Sequence, residues 1–406
     1  MKSGVRDGMY RGTLSCHFLG TGLLALAWYI FPGPALAQQY TAFEAAIARF
    51  DAKIAADVLE DGTGGMSAGV VVKDRLVWKK AWGWSDVALQ VQADPEQVYR
   101  LGSVTKIFTV VLMMRLIEDG VIDLDEGVDA HVPELREHPD LPPDSGPITF
   151  RHLASHTSGL VSMPEVPQPY LPVADWEARL LEILPKTPIV AEPGAKARYS
   201  NVGYAVLGLA VQRAAHRDFM ELMSEVVVRP LGMTHTAYRL NDVMRQRLAT
   251  GYQNYPDGRL DPDATRRHQE RNWFGVPASM LYSTVDDVAR LIMVLMDRDG
   301  ESETGLSRES VREMQKLQSV RERQRPIGTG RGYGLGLNIF EHRSGAVLLS
   351  KDGYDGGYRA QIAFDPQRRI GVILLRNYNE GATILPVAAI ELLVELGRTL
   401  DRVEEQ

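Results

Sequence analysis

Ser103 and Lys106 stand three residues apart in the run Leu101-Gly102-Ser103-Val104-Thr105-Lys106, the only Ser-x-x-Lys in the chain. On a helix that spacing puts both side chains on one face, a turn apart, so the amine can reach the hydroxyl. A serine hydroxyl is a poor nucleophile until a base removes its proton, and a lysine serves once burial and neighbouring cations lower its pKa. A helix N-terminus adds a potential that favours negative charge developing there. The structural alternative is a capping serine on a core helix. Tyr199-Ser200-Asn201 is the second constellation, between Glu192-Pro193-Gly194 and the apolar stretch Val202 to Ala210. From a loop-to-helix junction the Tyr199 phenol can relay a proton and the Asn201 amide can bind a substrate amide and the lysine, although the same residues also suit a helix cap with a packed aromatic. Lys351-Asp352-Gly353 is the third, following the strand-like run Ala346 to Ser350. There Lys351 can hold an anionic group and depress Lys106 by like-charge repulsion, and Gly353 can let a substrate lie against the backbone.

Other chemistries fit less well. His152 and His156 are four apart, but Leu153 stands where a metalloprotease carries its Glu, so both read as hydrogen-bonded structural histidines. No metal or other cofactor is expected. Gly328, Gly330, Gly332, Gly334 and Gly336 resemble a nucleotide loop only superficially, because the glycine spacing is wrong and no P-loop lysine follows.

The elements that must position these residues follow from patterning. The chain has 406 residues, 45% hydrophobic and 24% charged, enough apolar residue for a real core. A net charge of -7, without long like-charge blocks, gives no basic field for nucleic acid. Lys2, Arg6 and Arg11 precede an apolar run from Phe18 to Phe31 and the small-residue triplet Ala35-Leu36-Ala37. That order predicts a signal peptide over 1–37, cleaved after Ala37, and a periplasmic or secreted protein with no permanent membrane span. The single cysteine, Cys16, falls in this leader, so thiolate chemistry and disulfides are not expected in the rest.

From Thr41, with Glu44 completing a capping box, Phe43, Ile47, Phe50, Ile54 and Val58 predict a helix. Ala68 to Val72 and Leu76 to Ala81 predict a hairpin, continued by Trp82-Gly83-Trp84. Helical patterns then dominate: Thr105 to Glu118, Arg151 to Ser155, Trp176 to Leu184, Val202 to Ala215, Phe219 to Val228 and Thr284 to Met296. Strands return at Tyr333 to Ile339, Ala346 to Ser350, Ala360 to Phe364 and Gly371 to Leu375, before a last helix from Ile384 to Leu400. Pro164 to Pro172 and Glu309 to Arg331 read as surface loops. The order predicts an α+β fold, one domain over 38–406. An α/β lobe over about 40–100 and 331–402 would carry the sheet, a helical lobe over about 101–330 would be inserted, and the site would lie between them.

Ser-x-x-Lys, Tyr-x-Asn and Lys-x-Gly in this order resemble the serine β-lactamase and penicillin-recognising family, in its class C, D,D-carboxypeptidase and family VIII esterase branch. Gly120-Val121-Ile122-Asp123-Leu124-Asp125, Ile148-Thr149-Phe150-Arg151-His152-Leu153, His156-Thr157-Ser158-Gly159-Leu160 and Pro230-Leu231-Gly232-Met233 resemble that branch too, over about residues 45 to 400. The resemblance implies an antiparallel sheet flanked by terminal helices with a helical lobe inserted, and a two-step acyl-enzyme hydrolysis. It makes Ser103 the nucleophile, Lys106 the base or its partner, Tyr199 a second proton relay, Asn201 a substrate-amide contact and Lys351 a cationic wall. The oxyanion hole would be the Ser103 and Tyr354 N–H groups. Implied substrates are small esters, D-amino-acid peptides or amides, and lactams; the alternative is a non-catalytic penicillin-binding-like cell-wall or ligand-binding protein. Asp352 departs from the Thr or Ser usual in that branch, and would repel the carboxylate that β-lactams carry.

Overall fold

The computed structural model describes residues 34–141, 144–166, 171–255, 260–262, 270–272, 274–296, 306–320 and 329–404. Of the expected leader, residues 1–33 lie outside these, and 34–37 form the first turn of helix α1 (Pro34–Asp61). That helix therefore starts upstream of Thr41, which is an interior residue and not a cap. Pro34 suits a first helical position, where an N–H would lack a partner anyway, and nothing between Ala35 and Tyr40 breaks a helix.

The hairpin β1 (Gly65–Val72) and β2 (Arg75–Asp86) follows as expected, with Trp82 to Trp84 inside β2. Two-residue β3 (Val91–Gln92) pairs along β2. Helix α2 (Thr105–Glu118) matches its expected span, and α3 (Asn201–Ala214) and α4 (Val285–Met296) fall within a residue of theirs. Thr284 Oγ1 accepts the Asp287 N–H at 3.3 Å, capping α4. The Phe219–Val228 segment passes from α-helix to π-helix at Met223.

The second group of strands comprises β4 (Ser319–Val320), β5 (Thr329–Tyr333), β6 (Asn338–Glu341), β7 (Val347–Asp355), β8 (Tyr358–Asp365) and β9 (Ile370–Arg376). With the first three they form a nine-stranded antiparallel sheet in the order β4-β5-β6-β7-β8-β9-β1-β2-β3. Both ends of the chain thus meet at the β9–β1 pairing, in register from Met66 opposite Arg376 to Val72 opposite Ile370.

Three expectations change. The run Tyr333 to Ile339 is two strands joined by a turn, closed by the Gly334 N–H donating to the Leu337 carbonyl at 3.0 Å. Its period-two pattern misled because Leu335 and Leu337 are buried in the helical lobe from a turn. The polar stretch from Glu309 contains a helix, Arg308–Gln315, capped by Ser307 and burying Val311 and Met314 one turn apart; residues 321–328 lie outside the described residues. The sheet accordingly reaches back to Ser319 and does not begin at 331. Within the Pro-rich stretch, Leu171–Pro172 pairs with Arg271–Asn272 as a short ribbon.

Alternation divides the sheet between two cores. Met66, Ala68, Val70, Val72, Val372 and Leu374 face α1 and the final helix α5 (Leu385–Glu404). Val71, Ile362, Phe364, Ile373 and Leu375 face the helical lobe built around α2, α3 and α4. Among the described residues no helix is long and apolar enough to cross a membrane.

Candidate active site

Ser103 sits in the tight turn Gly102–Val104 that leads into α2. Leu101 and Val104 are fully buried on either side, and α2 buries residues all round, so the turn is held rigidly against the core. Lys106 lies one helical turn on, with no exposed surface. Its Nζ donates to Ser103 Oγ at 3.2 Å, to Asn201 Oδ1 at 2.8 Å and to the Ala278 carbonyl at 2.9 Å. These satisfy the three N–H groups an ammonium carries. Burial nevertheless pulls its pKa from 10.5 down to about 8; Tyr199 opposes the fall and Lys351 adds to it.

Tyr199 directly precedes α3, whose cap is Ser200, accepting the Gly203 N–H at 2.8 Å. The cap fixes where the helix starts and so where Tyr199 and Asn201 project. The Tyr199 hydroxyl donates to Ser103 Oγ at 2.7 Å, and Asn201 Nδ2 donates to Ser162 Oγ at 3.2 Å. Ser103 Oγ therefore stands between a phenol and an amine of lowered pKa. The Tyr199 ring in turn lies between the two lysines, 5.0 Å from Lys106 Nζ and 5.4 Å from Lys351 Nζ.

Lys351, Gly353 and Tyr354 come from β7. Strand β6 pairs only with Val347 to Ser350, so among the described residues no strand partners that edge of β7 from Lys351 to Asp355. This edge runs against the Ser103 turn. A Cβ on Gly353 would come within 2.0 Å of the Leu101 carbonyl oxygen, and one on Gly102 within 2.5 Å of the Tyr354 nitrogen. The bare Cα of Gly353 is thus required by this protein's own backbone, not by a substrate lying on it. Two backbones cross in direct contact, one carrying the Ser103 N–H and the other the Tyr354 N–H. Lys351 is 3% exposed; its Nζ donates to the Asp352 carbonyl at 3.0 Å and lies 3.8 Å from Asp352 Oδ1. Asp352 Oδ1 also accepts from Asn338 Nδ2 at 3.3 Å.

Ser103, Lys106, Tyr199, Asn201, Lys351, Gly353 and the Tyr354 backbone all meet in this cluster. What the motifs missed are its supports. The Ala278 carbonyl is presented by the short helix Val276–Ser279, fastened by the Thr109 hydroxyl donating to the Pro277 carbonyl at 2.6 Å. His156, buried with a left-handed backbone at φ 62°, packs its ring 4.4 Å from that of Tyr199 and accepts the Ser200 N–H on Nδ1 at 3.2 Å. It is a hydrogen-bonded histidine that also positions the phenol. His152 Nδ1 accepts the Thr149 N–H at 3.2 Å in a helix cap. Among the described residues no group of His, Cys, Asp and Glu is disposed to hold a metal.

Comparison with known proteins agrees with this fold. The family model described as beta-lactamase matches residues 43–394. The chain is 28% identical over 327 residues to Beta-lactamase-like protein 2 of Dictyostelium discoideum, covering 77% of this chain and 56% of that protein. It thus spans little more than half of that relative's length. It is 24% identical over 340 residues to a putative D-alanyl-D-alanine carboxypeptidase of Salmonella agona, 76% of this chain and 77% of that one. Among solved structures, the octameric penicillin-binding protein homologue from Pyrococcus abyssi superposes with a TM-score of 0.72 at 25% identity, covering 86% of this chain and 77% of that chain. EstCE1, a hydrolase with promiscuous acyltransferase activity, shares the fold with a TM-score of 0.71 at 23% identity, covering 88% and 99%.

Proposed function

The chain belongs to the beta-lactamase family, and from that premise we propose that it is a serine hydrolase that cleaves an ester or amide bond through an acyl-enzyme on Ser103. The observation that carries the reading is the position of Ser103 Oγ, 2.7 Å from the Tyr199 hydroxyl and 3.2 Å from Lys106 Nζ. In the acylation step Oγ bonds to the acyl carbon and the bond to the leaving group breaks. The Oγ proton moves through the Lys106–Tyr199 pair to the leaving group. A water then attacks the acyl carbon, the carbon–Oγ bond breaks, and the proton returns to Oγ. The two groups exchange protons as one coupled system, worth about 10²- to 10⁴-fold in rate. The Ser103 and Tyr354 N–H groups receive the negative oxygen of each tetrahedral intermediate, and Asn201 binds the acyl side of the substrate.

Substrate preference follows from Lys351 and Asp352. The cation that would receive a substrate carboxylate already has a carboxylate 3.8 Å away. Neutral esters and amides are therefore preferred over carboxylate-bearing lactams or peptides. We also propose that residues 1–37 export the chain; N-terminal sequencing of protein recovered outside the cytoplasm should begin at Gln38.

The test is intact mass after incubation with a fluorophosphonate and, separately, a penicillin, with Ser103→Ala alongside. The expected result is an adduct with the phosphonate that the variant lacks, and little or no stable adduct or turnover with penicillin. Hydrolysis of p-nitrophenyl esters that survives Ser103→Ala would overturn the nucleophile.

A further inference from the structure

Beside the contact between the Ser103 turn and β7 lies a buried ion pair that no motif includes. Arg100 is 2% exposed and Asp355 14%, and Arg100 Nε stands 3.1 Å from Asp355 Oδ2. Arg100 begins the stretch Arg100-Leu101-Gly102-Ser103, and Asp355 follows Tyr354 on the opposing strand. The pair therefore spans the same two backbones that touch through Gly102 and Gly353. We propose that Arg100 and Asp355 clamp these backbones together and so set the spacing of the Ser103 and Tyr354 N–H groups, which makes both of them positioning residues for the hydrolysis; this rests on the acyl-enzyme reading above.

Each end of the clamp is anchored in a different part of the fold. On the lobe side, Arg100 Nη2 donates to the Arg271 carbonyl at 3.0 Å and meets the Met280 sulfur, and the guanidinium lies 5.6 Å from the Tyr282 ring centre. Tyr99–Arg100 also pairs with Tyr282–Ser283, and the Leu101 N–H donates to the Leu281 carbonyl at 2.8 Å. On the sheet side, Asp355 is the last paired residue of β7, opposite Tyr358 across the Gly356-Gly357 turn. Between the anchors, the contact of Gly102 with Tyr354 and of Gly353 with Leu101 has no side chain in it, so packing there resists compression and not separation. The ion pair supplies the force that opposes separation.

Stability does not account for a pair in this place. Two buried charges give up their hydration, and a well-packed apolar pair of similar volume is commonly as stable or more so. The charges also matter to the reaction: an unpaired Asp355 carboxylate beside the Tyr354 N–H would oppose a developing oxyanion, and Arg100 cancels it. Burial pushes the Asp355 carboxyl up, opposed first by Arg100 and then by Lys106, which places this carboxyl within electrostatic reach of the catalytic amine.

The experiment is the apolar replacement R100M/D355L in the full chain, with D355N as a milder companion. Misplacing a transition-state donor by an ångström costs about 10²-fold. The double variant should unfold at or above the wild-type temperature, yet lose about 100-fold in kcat on a p-nitrophenyl ester with KM within about threefold. A boronic acid, whose tetrahedral adduct carries the same negative oxygen, should lose affinity by a similar factor. A stable double variant with unchanged kcat and boronate affinity would overturn the clamp. If the double variant does not fold, D355N decides: about a tenfold parallel loss in kcat and boronate affinity supports the clamp, and no loss overturns it. Ser103→Ala separates the two readings. If wild-type turnover does not depend on Ser103, the acyl-enzyme and the clamp fall together; if it does, only the clamp is at stake.

Discussion

The two faces of the sheet are built on different terms. Toward α1 and α5 the centre of the buried cluster is apolar, with Phe43, Ile54 and Val58 from one helix and Leu392, Leu393 and Leu396 from the other meeting the alternate residues of β1 and β9; the buried charges of that face, Arg376 and Asp365, stand at the last residues of β9 and β8. Toward the helical lobe a second apolar core ends, at the open edge of β7, in the buried Lys106, Arg100 and Lys351 and in Asp355, 14% exposed. Ionised groups withdrawn from water cost free energy that apolar contacts do not. The first face keeps its charges to the strand ends, and the second gathers them at the candidate site, where the proposed acyl-enzyme needs them. Substitutions on the two faces should therefore separate stability from activity in opposite directions.

Lys106→Met is the largest expected effect. Ester hydrolysis should fall by about 10³-fold or more, because the base and one proton path are lost together. In the wild type, kcat/KM should rise with pH through about 8, where Lys106 becomes the free amine. The stability effect has the opposite sign. Because the folded pKa lies near 8 and the ordinary one at 10.5, the unfolded chain holds a proton between those values that the folded chain does not. Unfolding free energy then rises with pH across that window, and below it the full penalty of about 3 kcal/mol is present. Urea unfolding at pH 7 and pH 10 should show the wild type gaining on Lys106→Met as pH rises. Parallel curves would mean that the amine keeps an ordinary pKa, and the contrast between the faces would fail at its centre.

Leu396→Ala makes the complementary break. Leu396 is fully buried between α5 and the sheet, and a leucine truncated in such a place costs about 2–5 kcal/mol. kcat on a p-nitrophenyl ester, measured well below the unfolding temperature, should be unchanged within about twofold. A large loss of kcat would mean that the apolar face transmits to Ser103 and that the division between faces is wrong.

The same division explains what could be read from the chain alone. The apolar face was legible almost completely, since period-two strands and a helical stripe are local patterns: β1, β2, β8, β9 and α5 fall close to where alternation put them. The start of α1 was missed because a cap was read at Thr41 although the upstream residues also favour helix. The candidate catalytic side chains were legible because each motif is local and the family's order joins them. Their supports were not. Arg100 and Asp355, or Lys106 and the Ala278 carbonyl, meet only through the tertiary fold, and a backbone carbonyl leaves no mark on composition. The turn after Tyr333 escaped notice because residues buried from a turn imitate a strand.

Asp352→Thr is the smallest expected effect and the sharpest test of what the second face is for. Asp352 is 43% exposed and lies 3.8 Å from Lys351, so solvent screens the pair, and its influence on an incoming carboxylate is about 1 kcal/mol. Removing it should raise turnover of a carboxylate-bearing lactam relative to a neutral p-nitrophenyl ester by about three- to tenfold. Burial dominates the lowered pKa of Lys106, but Asp352 is among the groups that hold it up. The same substitution should therefore move the midpoint of the ester pH profile downward by a few tenths of a pH unit. A changed ratio with a fixed midpoint would mean that Asp352 acts on the substrate alone. A shifted midpoint with a fixed ratio would mean that Asp352 serves the base and leaves carboxylate preference to Lys351, and the preference for neutral esters would then need another source.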